Sequence, residues 1–143
     1  MLGCDGCTMC CKVLAVQADD GTEFKGYNEW CVHCDKPTGC TIYSTKPKAC
    51  GEFECVWLQS QRSANPMPPE LRPDRTHVVL TGGKESLIAH VDRHRPEAYR
   101  RGPMGALLAR LGTMMVVAAR IGDRRVAIGP KAVEFVEKTG RDL

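Results

Sequence analysis

No cysteine follows Cys55 in this chain of 143 residues, although nine cysteines occur up to that point. Aromatic residues are scarce, at 6% of the chain, so stacking platforms for nucleic-acid bases are few. The longest apolar stretch, Met114 to Ala119, is far too short to span a bilayer. Nothing ahead of Cys4 supplies the apolar core of a secretory signal, so a cytoplasmic protein with no membrane segment is expected. Gly82-Gly83-Lys84 lacks the spacing of a phosphate loop and reads as a hairpin turn. No serine or cysteine nucleophile stands out, because the cysteines are read as metal ligands, and no catalytic constellation or reaction is identified. No internal repeat or low-complexity segment occurs.

What is present is uneven. Residues 1–62 carry 6 Lys/Arg against 8 Asp/Glu, and residues 63–143 carry 14 against 9. Thiols bound to metal are thiolates, which would make the first part still more negative. The two parts are therefore expected to attract one another. The stretch Asp92-Arg93-His94-Arg95, with Arg100-Arg101, lacks interleaved aromatics beyond Tyr99. It reads as a solvated face, or a dock for the acidic cysteine part, rather than as a nucleic-acid site. His77, His90 and His94 have no paired carboxylate motif and read as structural residues.

The hydrophobic pattern predicts two regions, a cysteine-rich region over 1–62 and a small α+β region over 63–143. In the first, Lys12 to Ala18 alternates like a short strand, a turn falls at Asp19–Thr22, and Phe24 to Trp30 can pair back. Pro37, Gly39, Pro47 and Gly51 argue against long elements between Cys31 and Cys55. Glu52 to Arg62 has helical spacing, with Cys55 in its first turn and Trp57 and Tyr43 as aromatic cover for bound metal. A proline-rich connector runs from Asn65 to Pro73. Strands then fall at Thr76–Thr81 and Ser86–Val91, and short helical turns at Pro96–Arg101. A helix carries Met104, Leu107, Leu108 and Leu111, with Gly112 as its cap, and a hairpin turns around Gly122-Asp123-Arg124. A closing helix spans Pro130–Lys138 with Val133 and Val136 inward. The order β-β-α-β-β-α predicts a small antiparallel sheet with helices on one face, packed against an irregular, metal-stapled cysteine region.

The cysteines are Cys4, Cys7, Cys10, Cys11, Cys31, Cys34, Cys40, Cys50 and Cys55. In a reducing compartment an odd number of closely spaced thiols argues for metal rather than disulfides. Thiolates favour zinc or iron–sulfur over magnesium or calcium. Cys4/Cys7/Cys10 doubles the spacing that lets one tight turn present two sulfurs to an ion, and Cys31/Cys34 repeats it. Neighbouring side chains diverge, so Cys10 and Cys11 suit two different ions. Three tetrahedral zinc ions need about twelve ligand positions, which nine cysteines fill if three of them bridge. The rivals are iron–sulfur clusters with four cysteines each, and separate zinc sites in which His33 substitutes for a thiol. A metal-handling protein with exchangeable thiolates is a third role for the same ligands.

Cys4-x-x-Cys7-x-x-Cys10-Cys11, Trp30-Cys31, Gly39-Cys40-Thr41-Ile42-Tyr43, Pro47, Cys50, Phe53-Glu54-Cys55 and Trp57-Leu58 closely resemble the CxxCxxCC cysteine-cluster family. These are bacterial proteins described as zinc- or iron-chelating, without an established activity. The resemblance covers about the first 60 residues. It implies that all nine cysteines are metal ligands and adds no reaction. The family usually has Arg where this chain has Lys46, and often Arg where it has Gly51.

Overall fold

The computed structural model describes residues 9–26, 29–31, 34–35, 39–40, 54–82 and 85–140. The described residues begin with a short helix, α1 (Met9–Val13), followed by strands β1 (Val16–Gln17) and β2 (Glu23–Lys25), which pair antiparallel. The turn between these strands closes through the Ala18 amide, which donates to the Thr22 carbonyl at 2.8 Å. Strands β3 (Cys34–Asp35) and β4 (Gly39–Cys40) form a second antiparallel pair. A helix, α2 (Val56–Ser60), precedes a 3-10 turn at Pro69–Leu71 and a one-turn helix, α3 (Pro73–Thr76). The remainder is β5 (Val78–Gly82), β6 (Ser86–Val91), a 3-10 turn at Ala98–Arg100, α4 (Gly102–Leu111), β7 (Val116–Ile121), β8 (Arg124–Ile128) and α5 (Pro130–Thr139).

The order of elements after residue 77 matches the sequence pattern, and the α+β class holds. The sheet, however, is mixed rather than antiparallel. Its strands lie in the order β5-β6-β7-β8; β5/β6 and β7/β8 are antiparallel hairpins, but β6 and β7 run parallel. A strand that must return beside its predecessor through a helix arrives parallel to it, and α4 supplies that crossover. The β7–β8 turn needs only Gly122 and Asp123, with Gly122 in the left-handed region at φ 59°.

One face of the sheet presents Val78, Leu80, Leu87, Ala89, Val91, Val117, Ala119 and Ile121, spaced by the two-residue period of strands. Met104 and Leu108 of α4 cover it, together with Trp57 and Leu58 of α2, Leu71 and Tyr99. Residues before position 62 thus contribute to the main core. Trp57 is one of its members, with the indole N–H donating to the Pro68 carbonyl at 3.1 Å. The helices are not confined to that face. Val79 points to the other side, where Met9 and Val13, one helical turn apart, bury it. The apolar residues of α5 stay out of the main core, while α5 contacts β7 and β8, where Ala118 is buried on the second face. Ala132 makes its close contact, whereas Val133 is 46% exposed and Val136 half-buried. The inward residue is one position earlier than Val133.

Several local expectations shift for identifiable reasons. Lys12 and Val13 belong to α1 rather than to a strand, because Met9 and Val13 need helical spacing to reach Val79 together. Cys55 is the N-cap of α2, just outside its first turn. Gly112 is the C-cap of α4 as expected, in a right-handed conformation with φ −63°. It also permits a close approach, since a Cβ there would lie 2.5 Å from the Ile128 carbonyl oxygen.

Candidate functional site

The described cysteines sit on short elements. Cys10 and Cys11 lie in α1, and Cys34 stands directly opposite Cys40 in the β3–β4 ladder. Cys31 is a half-buried thiol following Trp30, and Cys55 a half-buried thiol before α2. Cys4, Cys7, Cys50 and Tyr43 lie outside the described residues. Three segments distant in sequence meet at α1. Cys55 packs on the cluster formed by Met9, Val13 and Val79. Trp30, the neighbour of Cys31, lies with its ring centroid 5.6 Å from the Lys12 ammonium. Lys12 itself follows Cys11 in α1. Among the described residues no group of three or more His, Cys, Asp or Glu side chains is gathered to hold a metal ion.

Cys55 illustrates how the fold treats a thiol. Its Sγ accepts the Leu58 amide at 3.5 Å, the bond expected of an N-cap. Burial pushes its pKa up, opposed by the amides of Leu58 and Trp57. Deprotonation therefore calls for a positive partner, and amides aimed at the sulfur are in place to receive the thiolate.

The most heavily built polar centre joins α1 to the end of β6. The Lys12 ammonium donates to both carboxylate oxygens of Asp92 at 2.7 Å. Its third N–H points to His94 Nδ1 at 2.9 Å. An ammonium has no acceptor capacity, so His94 Nδ1 must carry the lone pair and accept. Lys12 and Asp92 are 6% and 3% exposed, and the two residues are 80 positions apart in sequence. Burial acts to raise the Asp92 pKa, but the Lys12 ammonium and the His94 amide outweigh it and hold the carboxyl below its ordinary value. Behind this pair, buried Lys25 donates to the carbonyls of Lys12 (3.0 Å), Gly26 (2.7 Å) and Leu14. Carbonyls at the C-terminal end of α1 thereby receive a cation, as the helix dipole favours.

Asp92 also corrects the reading of the histidines. His77 Nδ1 lies 3.6 Å from its second oxygen and His94 Nδ1 3.4 Å from its first, so both have a carboxylate beside them. His77 is the one non-glycine residue among those described with a positive φ, at 60°. Its Nδ1 is buried without a hydrogen-bond partner. His90 is separate, its Nε2 lying 2.8 Å from the Thr81 hydroxyl. The expected charge attraction between the two parts of the chain is reversed at this contact: the first part supplies the cation and the second the anion. Lys12 and Lys25 carried no sequence signal, and Asp92 stood out only within the basic stretch Asp92–Arg95, because a lone charged residue is mostly a surface residue and its partner is distant.

His77 and His94 also line an open cavity of about 480 Å³ beside the start of α4, with Arg75, Arg95 and Arg101 in its wall. No helix among the described residues is long and apolar enough to cross a membrane. No family model, no curated protein and no solved structure matches the chain.

Proposed function

We propose that the chain is a metal-binding protein holding a multinuclear zinc–thiolate cluster on its nine cysteines, with three zinc ions as the arrangement that uses every thiol. The observation that carries this reading is the meeting of three cysteine segments around α1, through the packing of Cys55 on Met9 and Val13 and of Trp30 on Lys12. A soft set of nine thiols also suits zinc or iron chemically. The elements concerned are too short to persist alone: α1 has five residues, and β1, β3 and β4 have two each. Isolated helices below about 12 residues are marginal in water, as are lone two-stranded ladders. Metal bound by the folded chain alone would supply the missing free energy.

Elemental analysis of anaerobically purified protein tests the proposal. About three zinc per chain is expected. A brown protein with about four or eight iron and acid-labile sulfide would replace it with an iron–sulfur redox protein. Zinc passing readily to a weak chelator would make the chain a metal donor rather than a structural cluster. Metal-free protein that keeps its hydrogen-exchange protection in α1 and β1–β4 would overturn the reading altogether.

A further inference from the structure

The cavity beside α4 has a wall chemistry that the metal reading does not use. Arg75, Arg95 and Arg101 line it, and among the described residues none of their side chains makes a hydrogen bond or an ion pair. Other arginines have found carboxylates: Arg62 pairs with Glu54, Arg72 with Asp74, and Arg100 with Glu97. Of the two acidic residues in the wall, Glu70 and Glu97, the second is thus already paired. Asp92 behind the wall is neutralised by Lys12. The cavity is therefore left with unspent positive charge.

One further feature lies at the same space. Helix α4 starts there, and its N-cap residue, Arg101, supplies no side-chain acceptor. The first amide bonded within the helix is that of Gly105, to the Arg101 carbonyl at 2.9 Å, and the earlier amides of Gly102 and Met104 have no backbone acceptor among the described residues. His77 also lines the cavity; its left-handed backbone is that of the C-cap of α3, with the N–H donating to the Pro73 carbonyl at 2.8 Å, and its buried Nδ1 lies 3.6 Å from the Asp92 carboxylate. Pro96, Pro103 and Met104 supply apolar wall alongside these polar groups.

We propose that this cavity binds a small organic phosphate: its phosphoryl group is received by Arg95, Arg101 and the α4 amides, and its organic part lies against the apolar wall. Guanidinium groups and free amides at a helix start are the donors a phosphoryl dianion needs. The volume favours a phosphomonoester over a free ion, since cavities of roughly 300–1,000 Å³ accommodate small organic ligands. The inference is independent of which metal the cysteines hold.

The test uses the full chain as purified, with amide chemical shifts recorded during titration with AMP, glucose 6-phosphate, adenosine, inorganic sulfate and a single-stranded DNA oligonucleotide. At least one of the two phosphomonoesters should saturate shifts at His77, Gly102 and Met104 at ligand concentrations up to about 10 mM. Adenosine should leave them unmoved, and sulfate should bind at least about tenfold more weakly. Arg95→Ala and Arg101→Ala should each weaken binding by about tenfold, the loss expected for one charged hydrogen bond near solvent. Both side chains are exposed, and neither is paired among the described residues, so the variants should unfold at the same denaturant concentration as the parent. Absence of saturable shifts with both phosphomonoesters overturns the proposal. So does binding unchanged in both variants, or tighter binding of the oligonucleotide with shifts spread over the basic surface.

Discussion

Replacing Lys12 by Met removes a cation that is 6% exposed while leaving its partner carboxylate in place. Asp92 would then keep the amide of His94 at 3.0 Å but lose two charged contacts of 2.7 Å. Stranding one member of a buried pair costs about 3–5 kcal/mol. With a urea dependence near 2 kcal/mol per molar, the unfolding midpoint should fall by roughly 1.5–2.5 M. Far-UV circular dichroism under reducing conditions measures this, and the two tryptophans add position. Trp30 stacks on the Lys12 ammonium and Trp57 belongs to the main core. The double variant Lys12→Met with Asp92→Leu separates the alternatives. Removing both charges leaves nothing stranded, so it should recover all but about 1 kcal/mol of the loss. If Lys12→Met left the midpoint unchanged, or if the double variant were as unstable as the sum of the singles, the pair would not be buried and coupled in this way.

Further outcomes follow from the same structure. The Asp92 carboxyl lies below its ordinary value in the folded chain, so its contribution is present above pH 4 or so and is lost as pH falls through the lower folded pKa. Urea midpoints measured from pH 5 to pH 2 should therefore decline more steeply in the parent than in Asp92→Asn, and parallel curves would refute this. His90 is pushed down to about 4, by burial first and by the Arg120 charge second. Its unfolded counterpart protonates near pH 6.5, so stability present above that pH should be lost towards pH 4, on the order of 3 kcal/mol. His90→Gln should flatten this slope. Gly112→Ala places a Cβ 2.5 Å from the Ile128 carbonyl and should cost about 1–3 kcal/mol in thermal or urea unfolding; a neutral result would mean that the β8–α5 junction yields freely.

How far the sequence reveals this molecule depends on the range of each interaction. β6 falls on Ser86–Val91 as its alternation suggests, and the β7–β8 hairpin follows from a glycine beside an aspartate between two apolar runs. The helical spacing of Met104, Leu107, Leu108 and Leu111 marks α4, which starts at Gly102-Pro103 after the preceding turn has ended at Arg100. These are local patterns. The parallel pairing of β6 with β7 depends on where a crossover lands, and no local period records it. The cysteine spacing announces soft ligands, but it carries no sign that Lys12 reaches Asp92 or that Lys25 closes on the end of α1. His77 looks like any histidine before a strand until its left-handed backbone and its carboxylate neighbour are seen together.

An ion pair at the root of α1 is a poor choice if stability alone is the need, because an apolar pair of similar size gives as much or more. It is a strict choice for orientation. A helix of five residues cannot fix its own direction, and Met9 and Val13 against Val79 would allow it to roll. The Lys12 ammonium, held by three acceptors, sets its rotation, and Lys25 on the carbonyls of Lys12 and Leu14 sets where it ends. Cys10 and Cys11 precede Lys12 directly in that helix, so the same contacts fix where their backbone stands relative to Trp30–Cys31 and Cys55. On the metal-binding reading, the sheet serves the cysteines through Asp92: it aims a helix that the ligand spacing alone would leave free to turn.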